Sequence, residues 1–486
     1  MEILKLILFF VFITVGASYC WGMRGTIIGG EKGAMLPGAF LGLLLALFSG
    51  SEFLQQNPHL LAGIGAVSMY CGGNMTYGET LSLSMASSPP PNMKKGLLAL
   101  FIKGGIWFGL FGGYSSLYIS VLSGYYSLLS VIIFFVLLPV SATVFFLIFN
   151  KPYKPQENRF PKIYFSITRR ETWGGLLGML IEIIIFALIF KDWSTLSMIL
   201  GTFLSGGIGW VIGQIFQIYS KFPTKKGHIL FGETNTNGLI DAWKVMECVL
   251  GAIGGLGTGL TFMLSENLFA DKFLTLDTNG ASSFISAGVS RALLAVYAII
   301  LLADCAQYFV YPSVNRKYYK KLLRMKLITK EGYELAIKNE KPHNTESVER
   351  YKKFCEKAEF AIYSVIPMML CFFGSTDSAI ALSFTVIILV LCQEVIEKLF
   401  KNNRNAYIWK IMFLLPAFVL TAVQFATSKP FNLRLTMFVY SFFYEAVFFI
   451  LKFAEPEKTL AKATYKTVHG YFLICCLVMN ISILAV

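Results

Sequence analysis

Residues Trp21 to Gly42 read WGMRGTIIGGEKGAMLPGAFLG. The stretch holds seven glycines, one proline and three charges (Arg24, Glu31 and Lys32) between two strongly apolar runs. A charge at the centre of a bilayer costs roughly 2.5–3.5 kcal/mol on insertion scales, so it faces a cavity or a partner. Each glycine weakens a helix by about 1 kcal/mol relative to alanine. So many in one short segment point to close backbone approach or to a helix that breaks. Broken backbone at membrane depth persists only where protein or water satisfies it, and free N–H groups at a helix start favour anions. One reading is therefore a polar site built from this segment. The other is a glycine-turn loop followed by a helix packed through small residues.

Either reading belongs to a membrane protein. Of 486 residues, 55% are hydrophobic and 14% charged, which no soluble class matches. The net charge of +14 fits basic cytoplasmic loops better than nucleic-acid binding. Nine cysteines, nearly all in apolar runs and without CxxC spacing, read as packing residues. Four scattered histidines do not argue for a metal, and the sequence leaves any cofactor unknown. The first apolar run, Leu4 to Cys20, has an n-region, MEILK, with only one lysine and no clear small-x-small cleavage site before Trp21, so it reads as a span rather than a signal peptide.

The expected fold is all-α and polytopic, with about fourteen transmembrane helices. The spans read as 3–20, 33–50, 60–85, 96–114, 125–149, 172–190, 195–219, 245–264, 283–311, 358–373, 378–397, 407–427, 432–452 and 467–486. Connections rich in Lys and Arg alternate with 51–59, 115–124, 191–194, 265–282, 374–377 and 428–431, none of which holds more than one lysine. That alternation puts the basic loops and the polar motifs on the cytoplasmic side and both termini outside. Three regions follow: a membrane core over 1–311, a basic amphipathic cytoplasmic segment over 312–357, and a five-helix bundle over 358–486. The middle segment carries thirteen Lys/Arg against six Glu and suits an anionic leaflet.

Two landmarks recur within the core. Trp21-Gly22 precedes Tyr77-Gly78-Glu79-Thr80, and Trp173-Gly174 precedes Phe231-Gly232-Glu233-Thr234. The spacings are 77 − 21 = 56 and 231 − 173 = 58. A Gly-rich span follows each pair, at 104–113 and 251–259. The expectation is a four-helix unit, spans 2–5, repeated in the same orientation as spans 6–9, over residues 21–149 and 173–311.

The candidate substrate-binding residues are Arg24, Glu31, Lys32, Asn74, Glu79, Thr80, Glu233, Asn235, Asn237, Asp241 and Lys244. All fall at predicted cytoplasmic ends. Glu182, in span 6, lies deeper. There is no P-loop, HExxH or GxSxG motif, and no catalytic residue can be named. The leading functional expectation is a secondary active transporter of a small polar or anionic solute in the plasma or inner membrane. Its partners would be membrane lipids, that solute and a coupling cation or proton, with no nucleic acid. The alternative is a transferase-type membrane enzyme acting on a lipid-linked or cytosolic substrate at the inner leaflet; a third is a scaffold subunit. The topology is tested by cysteine accessibility. Probes at 55–57 and 270–280 are expected to label from outside, and probes at 153–160 and 335–345 only after permeabilisation. Outside labelling of 335–345 would overturn the arrangement.

Overall fold

The computed structural model describes residues 3–24, 33–75, 77–85, 92–165, 171–219, 242–286, 288–290, 292–293, 296–297, 299–300, 319–338 and 358–374. Among these the chain is helical, without a strand. The helices named below are α1 (Ile3–Arg24), α2 (Met35–Leu47), α3 (Glu52–Gln56), α4 (His59–Gly73), α5 (Gly78–Ser84), α6 (Met93–Leu122), α7 (Leu128–Asn150), α8 (Trp173–Ile189), α9 (Trp193–Tyr219), α10 (Ala242–Leu264), α11 (Glu266–Asn279), α12 (Lys330–Lys338) and α13 (Ile366–Phe373). A π-helical turn, Ala361–Val365, leads into α13.

Five of these helices, α1, α6, α7, α9 and α10, are long and apolar enough to cross a membrane. Hydrocarbon offers the backbone no partner, so such runs close their hydrogen bonds within the helix. Side-chain caps mark some starts. Asn92 accepts the Lys95 N–H at the head of α6 (2.9 Å), and Ser127 accepts that of Ser130 at the head of α7 (3.2 Å).

Helix α6 is the axis. Its apolar stretch is 78% buried, against 22% for α7, which lies at the edge with Leu129, Val136 and Ile148 exposed. The exposed apolar faces of α1 and α7 are what lipid would cover. Around α6 the packing runs α4–α2–α1–α10–α9, with α8 and then α7 on the remaining side. Glycines permit it. A Cβ on Gly104 of α6 would strike the Gly206 carbonyl of α9, and one on Gly206 would strike that of Gly104. Gly38 of α2 and Gly65 of α4 stand in the same mutual relation. This is the close approach that small residues give membrane helices.

The observed boundaries correct several expectations. Trp21-Gly22 does not belong to a loop: α1 runs on through Arg24. The span expected at 60–85 is two helices, α4 and α5, broken at Asn74–Tyr77. The connection expected at 265–282 contains a full helix, α11, and 51–59 contains α3. Helix α6 is longer than the span 96–114, so its 30 residues reach about 45 Å, beyond a hydrocarbon core of about 30 Å. Residues 375–486, which hold most of the expected C-terminal bundle, and 231–234, which carry the second Gly-Glu-Thr landmark, lie outside the described residues.

Gly104→Leu should destabilise the protein by about 1–3 kcal/mol or more, the usual cost of overpacking a tight contact. Thermal unfolding in detergent measures it. Gly78→Ala, where a Cβ meets nothing within 4 Å, is the control expected to be near neutral.

Candidate functional site

The break between α4 and α5 builds the site. Once α4 stops, its free carbonyls need partners, and neighbouring helices supply them. Trp107 Nε1 donates to Met69 O (2.8 Å), Thr172 Oγ1 to Asn74 O (2.8 Å) and Asn74 Nδ2 to Tyr70 O (2.9 Å). Helix α5 is held in turn by Gln214 of α9, whose Nε2 donates to Ser84 Oγ (2.7 Å). The detour brings Tyr77 over the last turn of α1.

There, Arg24 is 2% exposed and set in a box of aromatic rings. Its Nη1 donates to the Tyr77 hydroxyl (2.7 Å). Its guanidinium carbon lies 4.7 Å from the Trp107 ring centre, 4.9 Å from Tyr77 and 5.4 Å from Trp21. Trp210 closes the box, 5.1 Å from Tyr77 and stacked 6.3 Å from Trp107. Ring faces attract the cation, yet guanidinium carries five N–H donors. Arg24 Nε, Trp21 Nε1 and Trp210 Nε1 are buried without a hydrogen-bond partner among the described residues. Among the described residues Arg24 forms no ion pair.

Two satisfied ion pairs flank the box. Lys103 of α6, 1% exposed, donates to Glu171 Oε1 (2.6 Å) and Thr80 Oγ1 (2.8 Å), while Glu171 Oε2 accepts the Phe165 N–H (2.8 Å). At the head of α10, Lys244 pairs with Glu247, which also accepts from Trp243 Nε1 (3.0 Å). Gly22 lies against Cys248, so α10 begins beside the end of α1.

Of the residues singled out in the sequence, Arg24, Asn74, Thr80 and Lys244 therefore fall at one end of the bundle. Arg24 faces the box, Asn74 shapes the helix break, Thr80 binds Lys103, and Lys244 belongs to a closed pair rather than an open site. Glu79 sits in α5, but its side chain lies outside the described residues, as do Glu31, Lys32, Glu233, Asn235, Asn237 and Asp241. The sequence reading missed Tyr77, Trp107, Trp210 and Lys103. Lys103 had a usable signal, a single lysine inside the apolar, Gly-rich run 96–114. The aromatic residues had none, since only folding gathers them. Among the described residues no three His, Cys, Asp or Glu side chains lie close enough to hold a metal ion.

A second buried cluster, also unforeseen, occupies the other end of α6. Seventeen residues separate Lys103 from Ser120, about 25 Å of helix. Asp192, in the α8–α9 turn, accepts from Lys272 Nζ of α11 (2.6 Å), Ser120 (2.7 Å), Ser194 (2.7 Å), Thr195 Oγ1 (2.8 Å) and the Tyr126 hydroxyl (2.9 Å). Nearby, Asp277 accepts from Ser51 Oγ (2.6 Å). Burial opposes ionisation of Asp192, but the Lys272 charge and the hydrogen bonds outweigh it and hold the carboxyl at about 2. Burial pushes the Tyr126 hydroxyl up, and the Asp192 charge adds to the effect.

Because the folded value lies below the ordinary 3.8, this pair stabilises the fold above about pH 4 and loses that contribution as pH falls toward 2. Thermal unfolding against pH should show a loss of about 2 kcal/mol across that window, absent in Asp192→Asn. A parent and variant with the same acid slope would disprove it.

Compared with protein-family models, with curated proteins and with solved structures, the chain matches none.

Proposed function

We propose that the protein is a secondary transporter that binds a small anionic solute at Arg24 and carries it across the membrane. The single observation behind this is a guanidinium 2% exposed in an aromatic box, with Nε unpartnered and no ion pair among the described residues. A charge in so dry a setting is costly until an anion meets it. A carboxylate or phosphate would receive charge-assisted bonds from the fork and from the indole N–H groups of Trp21 and Trp210. Glu31 and Lys32, a few residues on in the Gly-rich stretch, and Glu79 of α5 complete the proposed surroundings. Glu233, Asn235, Asn237, Asp241 and Lys244 are proposed to lie on the same side.

In this reading the chain has about fourteen spans, and residues 21–149 and 173–311 are parallel halves; the membrane is the plasma or inner membrane. One feature supports the proposed sidedness. Ser51, Ser120, Asp192, Lys272 and Asp277, all from connections poor in basic residues, meet at one end of the bundle. Arg24, Lys103 and Glu171 lie toward the other. Lipid surrounds the bundle, and a proton or cation supplies the coupling. A second reading draws on the position of the box at one end of α1 rather than at mid-depth. That position suits an enzyme acting on an anionic substrate at the inner leaflet, since transporter sites lie near the midplane.

The test is a thermal-shift screen of the purified protein against small carboxylates and phosphate esters. Quenching of tryptophan fluorescence gives a parallel readout from Trp21, Trp107 and Trp210. An anion is expected to protect the parent, with Arg24→Ala lowering its affinity about 10–150-fold, the worth of one charged hydrogen bond. Uptake of that anion into proteoliposomes separates transport from turnover without translocation. A ligand that binds Arg24→Ala as well as the parent would sink both readings.

A further inference from the structure

The carboxyl of Glu182 stands apart from every ion pair described above. It lies in the middle of α8, is 8% exposed, and accepts a hydrogen bond from Ser141 Oγ of α7. The surroundings are apolar. Ile183, the next residue, packs against Gly113 of α6, and Leu180 against Gly109. Among the described residues the titratable group in electrostatic reach of it is Tyr114 of α6, and beyond that Cys71 of α4. Cys71 also touches Met179, one turn back from Glu182, and Ser364 in the π-helical turn. Helix α7 carries no titratable residue, and α9 carries only Tyr219, at its far end. Among the described residues no cation lies within ion-pair distance of Glu182.

A carboxylate in such a place has three ways to exist. It can pair with a cation, bind a metal ion, or carry a proton. Among the described residues the first is not offered by the neighbours just named, and too few ligating groups gather for the second. The third is well provided for. Ser141 donates to one carboxyl oxygen, and the hydroxyl of Tyr114, 0% exposed and without a hydrogen-bond partner among the described residues, lies in electrostatic reach. The Ser141 hydroxyl can donate to the carboxylate or accept from the protonated acid, so it can serve both states.

We infer that Glu182 is a reversible proton-binding site in the interior of the bundle, with Ser141 as the group that positions its carboxyl and Tyr114 as a polar neighbour. The inference deepens the transport reading, where it supplies the coupling ion, and rests on that reading only for this role. Binding forms an O–H bond at one Glu182 carboxyl oxygen, and release returns the proton to water; nothing is oxidised or reduced. Acids buried in membrane proteins commonly mark such proton relays.

The experiment reads the proton directly and needs no substrate. Infrared difference spectra of the full-length protein in lipid nanodiscs are recorded across the pH range in which it stays folded, first in potassium and then in sodium. The expected result is a protonated-carboxyl band that fades as pH rises. It should vanish in Glu182→Gln, persist in Glu182→Asp, and change its midpoint in Tyr114→Phe. A band unchanged in Glu182→Gln would overturn the inference, as would a parent carboxyl that never titrates. If sodium at fixed pH removed the band, the site would be a sodium site, and the proton assignment would fall. Should Glu182→Gln fail to fold, Ser141→Ala must shift the band instead; a band indifferent to both Ser141→Ala and Tyr114→Phe counts against the inference. Failure of the transport reading looks different, as a normal band in a protein that moves no anion.

Discussion

Gly104 and Gly206 let the backbones of α6 and α9 meet, and the bundle is assembled on that contact. Helix α6 is mostly buried because α9 closes on it from one side and α4 from the other. In a bilayer no hydrophobic drive separates helix from lipid, so van der Waals fit at such contacts carries the association. The contact also sets the chemistry. It puts Trp210 beside Gly104, and therefore beside Trp107 one turn along α6. Without that spacing neither wall of the Arg24 box would stand.

The buried charges then sort by how they are satisfied. Lys103 with Glu171, Lys244 with Glu247 and Lys272 with Asp192 are compensated where they lie, two pairs toward one end of the bundle and one at the other. Each ties together elements far apart in sequence or caps a helix start, and removing either partner would strand a charge in a dry place. Arg24 and Glu182 differ from these. One is a cation facing rings, the other an acid facing hydroxyls. Among the described residues, paired and unpaired charges are thus told apart by their neighbours, not by their residue types.

The break after Gly73 shows why a site and a fold defect coincide here. A continuous helix over 60–85 would satisfy its own backbone and leave the Asn74 carbonyl no need of Thr172. Because it stops, Thr172 serves that carbonyl, Trp107 braces the last turns of α4, Gln214 anchors α5, and Tyr77 reaches Arg24. The same glycines that weaken the helix allow the neighbours to come close enough to repair it.

By itself the sequence determined that the protein is helical and built for a membrane, because long apolar runs leave the backbone no other solution. It also located one of the two polar ends of the bundle, since charge beside apolar runs is rare enough to read directly; Arg24, Asn74 and Thr80 all fall there. Glu182 was visible for the same reason. The tertiary structure alone decided what those residues meet. Tyr77, Trp107 and Trp210 look like ordinary membrane aromatics until three helices bring them around one guanidinium. Asp192 and Lys272 lie 80 residues apart in connections that read as poor in positive charge, and their pairing depends on how α11 folds back over the α8–α9 turn. Hydropathy is a property of neighbours along the chain and so survives in one dimension. Ion pairs and aromatic boxes are properties of neighbours in space, and they exist only once the helices have packed.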